Sequence, residues 1–166
     1  TKVGDGQGTV TSAPDGINCG TDCEEDYAYN IQVTLTAQPA ANSLFAGWAG
    51  ACTGTTPTCQ VTITKLRAVS ALFAPITFSI SDAFKNEGHS GTRAYTFTVT
   101  LIAPSTGTVT VRYATLDGTA NTADNDYRAT SGKLTFPAGV TRQALTVVVN
   151  GDVKVEADET FTVRLS

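Results

Sequence analysis

Near the C-terminal end the sequence reads VNGDVKVEADETFTVRLS, and four carboxylates, Asp152, Glu156, Asp158 and Glu159, fall just ahead of an alternating strand pattern. Acids crowded on one turn can do one of two things. They can surround a hard cation such as Ca²⁺, which takes ~6–8 oxygens and tolerates irregular geometry. Alternatively they stay hydrated, as an acidic rim that keeps an exposed loop soluble. Other chemistry is harder to assemble from this chain. Catalysis needs a nucleophile beside a base, or paired carboxylates in a cleft. The only histidine, His89, follows Gly88 in a turn-like stretch and reads as a surface residue, and no G-x-S-x-G, H-E-x-x-H or phosphate-cradling glycine loop occurs. The acids of EEDY, Glu24 to Tyr27, closely follow a cysteine and read as a charged loop. A non-enzymatic protein is expected.

The second constellation is sulfur. Cys19, Cys23, Cys52 and Cys59 all fall within the first 59 residues, with three and six residues inside each close pair. These spacings do not make the C-x-x-C knuckles of a zinc ribbon, and no histidine lies near to complete a mixed site. Two disulfides are expected instead, and with them an oxidising compartment: extracellular, periplasmic or on the cell surface. Four cysteines allow three pairings.

The elements that must carry these groups are strands. Thr and Val recur, Met is absent among the 166 residues, and no stretch holds an apolar stripe at helical spacing for three turns. Ile31, Val33 and Leu35 alternate with polar residues, Leu44, Phe45 and Trp48 supply a small core, and Val61, Ile63, Val69, Ala71 and Phe73 continue it. Trp48 belongs to that core by this reading, although an exposed Trp would make a sugar-stacking platform. Pro75 marks a boundary with no Gly/Ser linker after it. Beyond it, inward positions recur at Tyr95, Phe97, Val99 and Leu101, at Val109, Val111 and Tyr113, and at Phe161, Val163 and Leu165, separated by the turns APSTG, LDGT, PAGV and NGD. The pattern predicts two all-β domains, residues 1–74 and 75–166, the second an immunoglobulin-like antiparallel β-sandwich. A net charge of -4 without a Lys/Arg cluster argues against nucleic acid. No apolar run approaches the ~18 residues a membrane span needs, so no membrane insertion by this segment is expected.

Two resemblances sharpen the reading. G-T-V-T-S-A-P, G-I-N-C-G-T-D-C and F-A-G-W-A-G-A-C, within the first half, resemble the divergent internalin-type B-repeat of bacterial surface proteins. That resemblance implies a small β-grasp-like module stapled by disulfides and no activity, and since each would close a short turn within one motif, the local pairs Cys19–Cys23 and Cys52–Cys59 are favoured. NEGHSGT, VRYATLDGTANTADNDYRATSGKLTFPAG and VNGDVKVEADETFTVRLS, spread over residues 76–166, resemble a Calx-beta domain. In calcium-binding members the ligands are acids on neighbouring loops at one end of the sandwich. Carried over by position, they fall on Glu87 of NEG, Asp126 of NDY, and Asp152 and Glu156 of the acidic turn, with Glu159 and the Lys154 carbonyl completing the set. Gly151 stands where binding members often carry an acid. The resemblance implies a weak calcium site in the ~10⁻⁴ M range or poorer.

The functional expectation is a structural or adhesive segment of a bacterial cell-surface or secreted protein. Its partners would be neighbouring modules of the same polypeptide, other copies of itself, or a surface glycan or protein ligand. Two alternatives stand beside it: an accessory carbohydrate-binding module of a secreted hydrolase, and a filament subunit assembled by strand exchange. The last follows from the resemblance, because Calx-beta sandwiches continue past an RLS-like segment into a further strand, with KVGDGQGTVTS at the N-terminus as a candidate donor.

Overall fold

Alternation of Thr with Val, Leu and Phe produces strands throughout, and the computed structural model, which describes residues 1–166, contains twelve of them and no helix. The chain divides into two compact units, Thr1–Ile76 with Ser105–Gly107, and Thr77–Pro104 with Thr108–Ser166.

The first unit contains β1 (Lys2–Val3), β2 (Gly8–Ala13), β3 (Gln32–Pro39), β4 (Ser43–Gly50), β5 (Thr58–Thr62) and β6 (Val69–Pro75). They form two three-stranded sheets, β2-β3-β5 and β1-β6-β4, antiparallel except for the short parallel pair of β1 with β6. Val10, Val33, Leu35 and Val61 from the first sheet meet Trp48, Ala71 and Phe73 from the second in one buried cluster. Ile31 falls just outside β3 and is exposed, so that sheet's inward stripe starts at Val33. Cys19 is bonded to Cys23 and Cys52 to Cys59, with no free cysteine. Cys19 and Cys52 are each 2% exposed and belong to the core that they staple. Trp48 is buried too, and its indole Nε1–H donates to the Thr56 carbonyl at 2.9 Å.

Phe45 and Trp48 are three positions apart, a spacing that puts side chains on opposite faces of a regular strand. A bulge between Phe45 and Gly47 shifts the register by one, and the two rings meet edge-on at 5.0 Å. Gly47 takes φ 143°, a conformation closed to other side chains, which is why this G-W step is glycine.

The N-terminal stretch KVGDGQGTVTS, the candidate donor for another copy, is occupied within its own unit. Lys2 and Val3 pair with Ala71 and Leu72, and Gly8–Ala13 pairs along β3. Both strand-forming parts already have backbone partners, which corrects the donor expectation.

The second unit contains β7 (Phe78–Ile80), β8 (Thr92–Leu101), β9 (Val109–Leu116), β10 (Ser131–Phe136), β11 (Arg142–Asn150) and β12 (Thr162–Leu165). Two antiparallel sheets result, β11-β8-β7 and β10-β9-β12. Phe97, Val99 and Leu101 of β8 and Leu145, Val147 and Val149 of β11 are buried, as are Val109, Val111 and Phe136 from the other sheet. Phe78 and Phe136 meet across the layers at 5.9 Å, which sets the sheets face to face as a sandwich. Asn150 at the end of β11 pairs with Thr92 at the start of β8, and Thr162 at the start of β12 pairs with Leu116 at the end of β9. Three irregular connections, residues 81–91, 117–130 and 151–161, therefore gather at one end of the sandwich.

Candidate metal centre

The 151–161 connection carries the chain from one sheet to the other. It leaves β11 at Gly151, whose amide donates to the Gly91 carbonyl at 2.9 Å. A Cβ added at Gly151 would run into the carbonyl oxygens of Glu87 and Gly88. The missing acid at this position thus has a physical cause: the backbone passes too close to the Glu87 turn to admit a side chain. After it, the Asp152 carboxylate accepts from the Lys154 amide at 2.7 Å, fixing a tight Asx turn. Val153 and Val155 are 80% and 102% exposed, so the alternating run presents apolar residues to water while Asp152 and Glu156 join the cluster described below.

Asp126 sits on the 117–130 connection and is 8% exposed. Asn125 before it holds φ 67°, which Asn tolerates better than most residues. The Asn121 amide donates to Asp126 Oδ2 at 2.7 Å, and the Asp126 carbonyl accepts from the Asn150 amide at 2.8 Å. Asn150 Nδ2 donates to the Asn125 carbonyl at 2.7 Å, tying this loop to the end of β11. Tyr127 next to it donates its hydroxyl to Asp117 at 2.6 Å and stacks on Phe161, ring centroids 4.5 Å apart. Phe161 thereby anchors the far end of the acidic strap. On the 81–91 connection the Glu87 carbonyl accepts from Arg93 Nε at 2.7 Å.

These supports bring five carboxylates together in two groups, Glu87 with Asp152 and Glu156, and Asp126 with Glu156 and Glu159. Within each group the oxygens lie within 4.8 Å of one another, and Glu156 belongs to both. Asp158 belongs to neither. Lys154, expected through its carbonyl, enters through its amide on Asp152 and its ammonium, 3.5 Å from Glu156.

The electrostatics follow from the crowding. Partial desolvation, then the charges of Asp152, Glu156 and Asp126, push the Glu87 carboxyl above its ordinary value. Glu159 is pushed up in the same way, by desolvation and then by Asp126 and Glu156. Glu156 holds the Lys154 ammonium above its ordinary value. Oxygen donors only, with no thiolate or imidazole among them and an excess of negative charge, suit a hard divalent cation and not zinc.

A raised carboxyl binds its proton more tightly in the folded than in the unfolded chain. Stability therefore falls as pH rises from the ordinary carboxylate range through the raised value, and returns on acidification. Without divalent ions, the urea midpoint of the second unit is expected to increase between about pH 7 and about pH 5, and Glu87→Gln to remove part of that increase. A midpoint that only falls over this range counts against the repulsion.

Sequence reasoning missed the residues that hold the acids. Asn150 reads as part of the NGD turn and Asp117 as part of LDGT, while Asn121 and Asn125 carry no reading of their own. The Asn that opens NDY and the Asn before Gly151 were the available signals, since Asn combines an amide with tolerance of positive φ.

The second unit is thus an antiparallel sandwich with carboxylates gathered on the loops at one end. The chain belongs to the Calx-beta domain family, whose model matches residues 76–166. Residues 1–77 match the divergent InlB B-repeat domain. Among solved structures, the apo form of the Calx CBD1 domain is similar at 34% identity, over 44% of this chain, with a TM-score of 0.41. The chain spans 64% of the length of that domain. No curated protein matches.

Proposed function

We propose that the chain is a non-enzymatic structural or adhesive segment of an extracellular bacterial protein, and that its sandwich is stiffened by a weakly held calcium ion. The observation that carries this reading is the pair of carboxylate groups sharing Glu156. Glu87, Asp126, Asp152, Glu156 and Glu159 would hold the ion, with water filling the remaining positions. The ion would supply charge neutralisation at one end of the sandwich and no bond-making chemistry. Two disulfides support an oxidising setting. No helix is long and apolar enough to cross a membrane. Both matched families are binding or repeat domains, which supports a role in holding and not in turnover.

Calcium binding to the folded state alone adds RT ln(1 + [L]/Kd), roughly 1.4 kcal/mol when free ion is at ten times Kd. Millimolar calcium is accordingly expected to raise the melting temperature of the second unit by about 5–10 °C, and magnesium, which demands tighter octahedral geometry, by less. Asp152→Ala and Glu156→Ala should each abolish the gain, Glu156→Ala without lowering the melting point in chelator because it also removes repulsion. A melting curve unmoved by millimolar calcium would return the acids to a hydrated rim.

A further inference from the structure

The β10-β9-β12 sheet buries Val109, Val111 and Phe136 on one face. The other face carries cations. Lys133 lies directly opposite Arg112, Ser131 lies opposite Ala114, and Arg164 lies opposite Ala114 from the other side. Neighbouring strands are about 4.8 Å apart and diagonal cross-strand neighbours about 7–8 Å, so the three long side chains surround a floor of small residues. The result is a trough of about 690 Å³ lined by Arg112, Ala114, Leu116, Ser131, Lys133 and Arg164.

No acidic side chain lines this face, and Ser166 at its rim pairs with Arg112 through the backbone. The ion pair of the structure is Lys154 with Glu156, and none of the three cations shares it. Like charges directly opposite on paired strands destabilise a sheet, and Lys133 with Arg112 is such a pair. The chain has a net charge of -4 and only 11 Lys and Arg, yet it sets three of them on one sheet face against their own repulsion. An anionic ligand would offset that cost.

We propose that the trough binds an acidic polysaccharide, whose uronate carboxylates dock on Arg112, Lys133 and Arg164. Guanidinium forks match carboxylates bidentately, and the Ser131 hydroxyl adds a partner for sugar hydroxyls. The shape favours a narrow chain over a folded partner. A second copy or another protein would bury ~800 Å² on each side around an apolar centre, and this face offers only Ala114 and the half-exposed Leu116. Nucleic acid is disfavoured as well. Tyr113, on the central strand β9, alternates with Arg112 and Ala114 and faces the sheet's inner side, its ring against Gly132, so the trough offers no open aromatic platform for bases. The proposal supplies the ligand that the adhesive reading lacks, and rests on that reading only for the extracellular setting.

The test uses the whole chain with polygalacturonate at low salt in chelator, where the acidic end of the sandwich holds no ion. Calorimetry should show binding that neutral dextran does not reproduce, and R112E/K133E should weaken it about tenfold or more. Lys65→Glu, on an exposed loop of the first unit, should leave affinity unchanged. Absence of binding, or equal loss in the Lys65 variant, overturns the proposal. So does sedimentation showing a dimer that R112E/K133E disrupts, which would make the face an interface between copies, or duplex DNA binding more tightly than polygalacturonate. Because calcium is absent throughout, a failed calcium response and a failed polysaccharide response are read separately.

Discussion

Reduction of both disulfides is expected to unfold the first unit and leave the second folded. The bonds close sequence separations of 4 and 7, which in the chain-entropy account are worth about 2 and 2.5 kcal/mol. Their sum is a large part of the ~5–15 kcal/mol that holds an ordinary domain together, and a unit of this size has little apolar area in reserve. Cys19 and Cys52 are also core residues, so reduction loosens packing as well as the unfolded-state constraint. Trp48 is the only tryptophan and lies in the first unit, so its fluorescence reports that unit alone. Its emission should shift red on adding a phosphine reductant at moderate temperature, and the C19S/C23S variant should move part of the way without reductant. A Trp48 denaturation midpoint indifferent to reductant would show that the staples contribute little.

Phe161→Ala should cost about 3 kcal/mol, the low end of the range for a large aromatic, because the ring is only half-buried. The loss has an unusual distribution. Phe161 stacks on Tyr127 and meets Phe97 edge-on at 6.1 Å, so one ring joins the strap's end, the Asp126 loop and β8. Truncation should therefore blunt the calcium response as well as lower the urea midpoint, whereas Phe161→Leu should restore much of the midpoint but less of the response. If Phe161→Ala destabilises the unit yet preserves the full calcium shift, the stack supports the core without positioning the acids.

Much of this architecture is legible in the chain because its signals are local. Alternation at Val33 and Leu35, or at Phe97, Val99 and Leu101, marks strands and their inward faces. Four cysteines with no histidine near them mark disulfides. The five acids could be named from positions shared with a resembling family, but their grouping around Glu156 depends on three loops converging, and no short stretch encodes that. Gly151 illustrates the difficulty: it reads as one ligand fewer, and only the folded chain reveals the carbonyls of Glu87 and Gly88 in its way. The short parallel pair of β1 with β6 joins Lys2 to Ala71 across most of a unit and carries no pattern of its own. The cationic trough is equally invisible, since Arg112, Lys133 and Arg164 meet only through two strand registers.

The placement of the acids has a mechanical meaning. Glu87 lies on the approach to β8, in one sheet, Asp126 on the link between β9 and β10, in the other, and Asp152, Glu156 and Glu159 on the strap that crosses between them. Glu156 belongs to both groups, so a cation held there would draw on Glu87 from one sheet and Asp126 from the other and would act as a rivet through both layers of the sandwich. Tension applied to β12 would reach β11 through that strap, so the sheets could not be peeled apart from this end until the rivet had given way. With that ion bound, a chain of such units under tension would stiffen, and it would grow compliant when calcium is withdrawn.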